Sequence, residues 1–273
     1  MFKDCLNNVR NTCPLVHNIT NYVTVNDVAN ALLAIGGSPI MADDKNDVAD
    51  ITSICGGLNI NIGTLNKRTI KSMFIAGKVA NKLNHKVLLD PVGAGASKIR
   101  TKTAKKICKK IKLDAIRGNI SEIKTLFYGN GTTKGVDADV VDTVTNENLS
   151  ESVKMAKSFA SLTGSVIAIT GAIDLVADGQ KCYVIKNGNA KMSSITGTGC
   201  QLSAVMTAFL VANPDNALEA CAAAVCAMGI AGEIGMEHMQ AGDGNSTYRN
   251  RIIDALANLT GEQLEKYAKF EIM

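Results

Sequence analysis

Short apolar runs bounded by Gly, Pro, Asn or Asp alternate along this chain with longer stretches whose apolar residues recur at helical spacing. The short runs predict strands over residues 14–17, 38–41, 59–62, 86–90, 115–118 and 166–170. The longer ones predict helices over 23–35, 66–83, 102–112, 121–127, 148–162, 200–211, 217–236 and 247–257. Between residues 175 and 186, two β-rich runs flank Asp178-Gly179, a pair that favours a tight hairpin turn. Strand–helix alternation is the rhythm of an α/β protein with a mostly parallel sheet flanked by helices, here extended at one edge by antiparallel strands. No repeat, low-complexity tract or Pro/Ser-rich linker divides the chain, so one domain over 1–273 is expected.

Composition narrows the picture. Of 273 residues, 46% are hydrophobic but only 4% aromatic, with no Trp, so the core must be built from Ala, Val, Ile, Leu and Met. A formal charge of +4 creates no general field that would argue for nucleic acid. The one basic cluster runs from Lys98 to Lys112, where Ile99, Ile107 and Ile111 recur at helical spacing. It reads as the solvated face of an amphipathic helix, because it lacks the interleaved aromatics that stack bases. The uncharged run 195–214 is broken by Gly197 and Gly199 and ends at a proline, which suits a buried helix better than a membrane span. Eight cysteines are scattered without a CxxC pair, and the first ten residues contain no apolar signal core. Free thiols in a cytoplasmic, reducing compartment are the expectation.

Three constellations carry candidate chemistry. The first, Asp90-Pro-Val-Gly-Ala-Gly95, ends an apolar run with a carboxylate and a glycine loop, the position that faces a ligand crevice in open α/β sheets. A plain strand-to-helix turn would explain it as well. The second is Arg117-Gly-Asn119-Ile-Ser-Glu122. Asn119 and Glu122 could form a capping box and no more. A phosphate site would in addition use the Arg117 guanidinium on a phosphoryl oxygen and Glu122 on hydrated Mg2+. The third, Thr196-Gly197-Thr198-Gly199-Cys200, opens the uncharged helix. Its glycines permit close approach of a ligand, and free amides at a helix N-terminus attract an anion. The same location should make Cys200 the most ionisable cysteine of the chain. Among the histidines, His17 either lines a pocket or is a hydrogen-bonded structural residue, and none has partners at metal-ligand spacing.

In order along the chain, Val16-His-Asn-Ile-Thr-Asn21, Pro39-Ile-Met41-Ala42, Asp90-Pro-Val-Gly-Ala-Gly95, Arg117-Gly-Asn-x-Ser-Glu122, Ile169-Thr170-Gly171 and Thr196-Gly-Thr-Gly-Cys200 resemble the motifs of the hydroxyethylthiazole kinases. The resemblance runs from about residue 15 to 256. It implies a three-layer ribokinase-like fold, and phosphorylation of 4-methyl-5-(2-hydroxyethyl)thiazole by ATP with Mg2+ in thiamin biosynthesis. It further implies a homotrimer with active sites between subunits. By position, Met41 and Gly197 match substrate-contacting residues, with Asn21 and Val23 in the pocket wall. Arg117 and Thr170 match nucleotide-binding positions, beside Asn119 and Gly199, and Asp90 and Glu122 match acidic residues around phosphate and Mg2+. Cys200 stands where most ribokinase-like enzymes carry a catalytic Asp. Two departures appear. Ala172 replaces a common acidic residue, and Gly242-Asp243-Gly244 replaces Gly-Pro-Gly. Rival readings are another ribokinase-like small-molecule kinase, an enzyme using Cys200 as a nucleophile, and a non-catalytic nucleotide-binding protein.

Overall fold

The computed structural model describes residues 1–129 and 143–273. Its described strands form one nine-stranded sheet in the order β2-β1-β3-β4-β5-β6-β7-β8-β9. Strands β1 (Leu15–Ile19), β2 (Ser38–Met41), β3 (Gly57–Asn61), β4 (Lys86–Asp90), β5 (Ala115–Asn119) and β6 (Val166–Thr170) are mutually parallel. The expected hairpin forms β7 (Asp174–Ala177) and β8 (Cys182–Ile185), which with β9 (Phe270–Ile272) continue one edge antiparallel.

Alternation along each strand builds two cores. In β4, Val87 and Leu89 face one side and Leu88 the other; in β6, Ile167 and Ile169 oppose Val166 and Ala168. On the first side lie α3 (Val48–Ile54), α4 (Lys67–Lys82), α5 (Lys98–Lys110), α6 (Ile120–Tyr128) and α7 (Leu149–Thr163). On the second lie α1 (Phe2–Thr12), α2 (Val25–Ile35), α8 (Thr198–Ala212), α9 (Ala217–Glu237), α10 (Asn245–Asn258) and α11 (Gly261–Tyr267). Two helical layers around one sheet give the three-layer arrangement expected. The uncharged segment is indeed the buried helix α8. Helix α9 is long and apolar enough to cross a membrane, but 78% of its most apolar stretch is buried inside the fold.

Helices α1, α3 and α11 and strand β9 were not foreseen. Helix α1 buries Phe2, Cys5, Leu6 and Val9, an i, i+3, i+4, i+7 stripe hidden among three asparagines. Helix α3 and strand β9 are too short, at 7 and 3 residues, for periodicity to register.

The strand order matters most for function. From β1 the chain moves outward to β2, then returns to place β3 on the other side of β1. Helical connections therefore leave β1 and β3 in opposite directions, and open a crevice beyond their carboxyl ends.

Candidate active site

The carboxyl ends of the parallel strands, with the loops just beyond them, deliver most of the predicted site residues. Met41 ends β2, Asp90 ends β4, Asn119 ends β5 and Thr170 ends β6, while Asn21 follows β1 by two residues. Helix α8 aims its first turn at the same crevice. Gly197, its N-cap, has φ +83°, and a Cβ there would collide with Thr24. Gly199 leaves room for the Arg117 guanidinium, onto whose terminal nitrogens a Cβ would fall. The amides of Thr198, Gly199 and Cys200 belong to the first turn and have no partner within the helix.

Asp90 is 0% exposed. Its Oδ2 accepts hydrogen bonds from Asn61 Nδ2 and Ser203 Oγ, both at 2.8 Å, and lies 3.5 Å from Arg117 Nη1. Its Oδ1 has no partner, nor does Arg117 Nε. Burial raises the Asp90 carboxyl above its ordinary value, while Arg117, Ser203 and Asn61 pull the other way. Arg117 Nη2 donates to Thr170 Oγ1, so two of the four predicted nucleotide-binding residues are in direct contact.

Glu122 forms the capping box that its spacing suggested. Asn119 Oδ1 accepts from the Glu122 amide at 2.9 Å, and Glu122 Oε2 from the Asn119 amide at 2.8 Å. Its other oxygen accepts from the Gly93 amide at 2.7 Å, so one carboxylate ties the glycine loop after β4 to the start of α6. Burial, with the Asp90 charge behind it, pushes the Glu122 carboxyl up to about 7.

These groups were tested for fit to a divalent cation. Among the described residues no three His, Cys, Asp or Glu side chains form an all-protein cage. Two adjacent carboxylates, one with an orphaned buried oxygen, suit a hard cation such as Mg2+, which keeps several waters and shares phosphate oxygens.

Cys200 corrects an expectation. Its thiol is buried, and its value is raised, not lowered. Burial is the first cause and Asp90 the second; Arg117 and hydrogen bonds from Asn61 and Asn21 only partly oppose them. Desolvation outweighs the helix N-terminus, so at neutral pH the group is a thiol. Met41 and Val92 pack on the small cluster of Val28, Cys200 and Ala204. Asn21 Nδ2 reaches that sulfur at 3.3 Å. Val23 stays 59% exposed and its neighbour Tyr22 79%, at the outer lip.

Asn61, Ser203 and Asp174, which the motifs did not single out, also stand by Asp90 or Arg117. Asn61 and Ser203 both contact Asp90. Asp174, two positions beyond Ala172, accepts from the Gly171 amide at 2.8 Å, and burial pushes its carboxyl up to about 7. Asp243 accepts from the Gln240 amide at 2.9 Å, closing the loop before α10. His17 is the hydrogen-bonded structural histidine: it is buried, with Nδ1 2.9 Å from Thr52 Oγ1 and Nε2 2.9 Å from the Ala42 carbonyl, and so braces the end of β2. Asn59-Ile-Asn61 sets two amides on one face of an otherwise apolar strand, a local pattern that marks the pair but not the carboxylate Asn61 serves.

A crevice at a strand-order reversal, with a helix N-terminus facing paired carboxylates and an arginine, is the place where an open α/β sheet takes its ligand. A ribokinase-like superfamily protein from Enterococcus faecalis shares the fold at 13% identity, with a TM-score of 0.65 over 97% of this chain and 95% of that one. The chain belongs to the hydroxyethylthiazole kinase family, whose profile it matches over residues 6–262. It is 60% identical to the hydroxyethylthiazole kinase of Clostridium acetobutylicum over 99% of both chains. The solved structure of the hydroxyethylthiazole kinase protein from Pyrococcus horikoshii is similar at 32% identity, with a TM-score of 0.88 over 100% of this chain and 98% of that one.

Proposed function

We infer that this chain is a phosphotransferase that moves the γ-phosphoryl of ATP to the hydroxyethyl oxygen of 4-methyl-5-(2-hydroxyethyl)thiazole, a step of thiamin biosynthesis. The observation that carries the chemistry is the meeting of the α8 N-terminus with Arg117 and Asp90 at the carboxyl ends of the strands. We read residues 1–273 as one kinase domain, working in the cytoplasm as a homotrimer with sites between subunits. Exposure of Tyr22 and Val23 beside buried Asn21 supports a second subunit closing that lip.

In this reading Met41 offers a polarisable wall to the aromatic thiazole. Cys200 and Asn21 line the place of the alcohol, with Gly197 giving the substrate close access to the backbone. The amides of residues 198–200 and Arg117 hold charge on the phosphoryl oxygens, with Thr170 steadying the guanidinium and Asn119 shaping the loop beside it. A loose phosphoryl-transfer transition state asks little of a base, so a thiol that stays protonated is tolerable. Asp90 and Glu122 would hold Mg2+, which when bound neutralises phosphate charge.

A coupled ADP-release assay with the thiazole alcohol, its desmethyl analogue and sugars tests the reading. Thiazole-dependent release is expected, and release with sugars alone would overturn it. The same assay on Cys200→Asp is expected to retain turnover; complete loss there, with a thioester trapped on the wild type, would favour the nucleophile rival.

Protons compete with the cation at Glu122. Because its carboxyl titrates near 7, the apparent Mg2+ requirement should fall about tenfold as pH climbs from about 6 to about 8. Glu122→Gln should need more Mg2+ and lose most of that slope. Mg2+ titrations at several pH values check this, and superimposable curves would remove Glu122 from the cation site.

A further inference from the structure

We propose that Asn61 is a positioning residue for the transfer: its single side-chain amide fixes the Cys200 sulfur and the Asp90 carboxylate relative to each other at the mouth of α8. The proposal rests on reading the crevice as a phosphoryl-transfer site.

The register of the sheet sets the geometry. Asn61 is the last residue of β3 and stands directly opposite Asp90 on β4. It is 1% exposed, so its amide persists there only with its polar atoms paired. Its orientation is fixed by a group that can only donate: Oδ1 accepts from the Gly63 backbone amide at 2.9 Å, and also from Asn21 Nδ2 at 3.1 Å. Nδ2 therefore faces the site, where it reaches Asp90 Oδ2 at 2.8 Å and Cys200 Sγ at 3.2 Å. Asn21 is fixed in the same way. Its Oδ1 accepts from the Thr24 amide at 3.1 Å, which turns Nδ2 to the sulfur.

The Cys200 sulfur thus receives two amide N–H groups. A neutral thiol can accept at sulfur and donate through S–H. With its accepting sides taken by Asn61 and Asn21, the S–H is left for the open side, where the acceptor alcohol is placed. Burial keeps the group protonated, in agreement with a donor role. Asn61 acts on this arrangement from behind. It orients the sulfur, and through its second N–H it holds Asp90 Oδ2 so that the orphaned Oδ1 is presented forward.

Two variants and a coupling measurement test this. Asn61→Asp is isosteric and keeps an oxygen for the Gly63 amide but loses the donor; Asn61→Ala removes the whole amide. In each, kcat should fall about 10²-fold, the scale of a small misplacement of reacting groups. KM for ATP and for the thiazole alcohol should stay within about threefold, since in this reading Asn61 itself touches neither substrate. In a Cys200→Ala background, the Asn61→Ala penalty should shrink to below about tenfold, because part of it works through the sulfur. The proposal is overturned if Asn61→Asp keeps kcat within about threefold of wild type. It is overturned equally if the two penalties multiply in full, or if lost activity follows lost folded protein in thermal melts. Absence of thiazole-dependent ADP release from the wild type, run alongside, would instead overturn the functional reading.

Discussion

Gly199→Ala is expected to lower kcat/KM about 10²-fold while leaving the melting temperature nearly unchanged. The added methyl would fall on both terminal nitrogens of Arg117. That guanidinium has little room to retreat, because Asp90 and Thr170 hold it from the other sides and its side chain is only 12% exposed. The collision must be relieved by moving the charge away from the first turn of α8. Stability should suffer less than activity, since alanine is favoured over glycine in a helix by about 1 kcal/mol, which offsets part of the strain. Steady-state kinetics beside a thermal melt separates the two effects. A variant with normal kcat/KM would mean that Arg117 does not serve the transferred group from this position.

The second large effect is expected at Asp90. Asp90→Ala leaves the Arg117 guanidinium, the Ser203 hydroxyl and one Asn61 N–H facing an empty, buried space. Breaking a buried ion pair from one side typically costs about 3–5 kcal/mol, and that loss should appear in urea unfolding. Asp90→Asn separates stability from chemistry: it keeps the shape and one acceptor oxygen, so more of the folding free energy survives. Activity should still fall about 10²–10³-fold, the usual scale for a positioned electrostatic group. Near-normal turnover by Asp90→Asn would remove the carboxylate charge from the mechanism, whatever its part in folding.

How far the chain could be read in advance depended on whether a residue's role is local. Strand β4 with Asp90 at its end, the Asn119–Glu122 cap and the glycine entry to α8 are encoded within a few neighbouring residues, and all stand where expected. Arg117 and Thr170 are 53 residues apart, and only the ordered motifs hinted that they would meet. Asn61 and Ser203 were missed for the same reason. Their partner Asp90 lies 29 and 113 residues away, and no local pattern distinguishes an amide or hydroxyl that serves a carboxylate from one that merely fills space. Cys200 shows the converse error. Its place in the first turn was legible, but the sign of its shift depended on burial against Val28, Met41, Val92 and Asn61, a property of the packed whole.

The grip of Glu122 on two backbone segments has a consequence for how such a protein can change. A substitution there that altered metal preference would also unhook the glycine loop and fray the first turn of α6. The phosphate end of the crevice is thereby locked by its own scaffolding. Tyr22 and Val23 carry no comparable duty within the subunit: their side chains are exposed on the single chain and in the proposed trimer would face a neighbour, so changes there leave this fold intact while altering the wall offered to an acceptor alcohol.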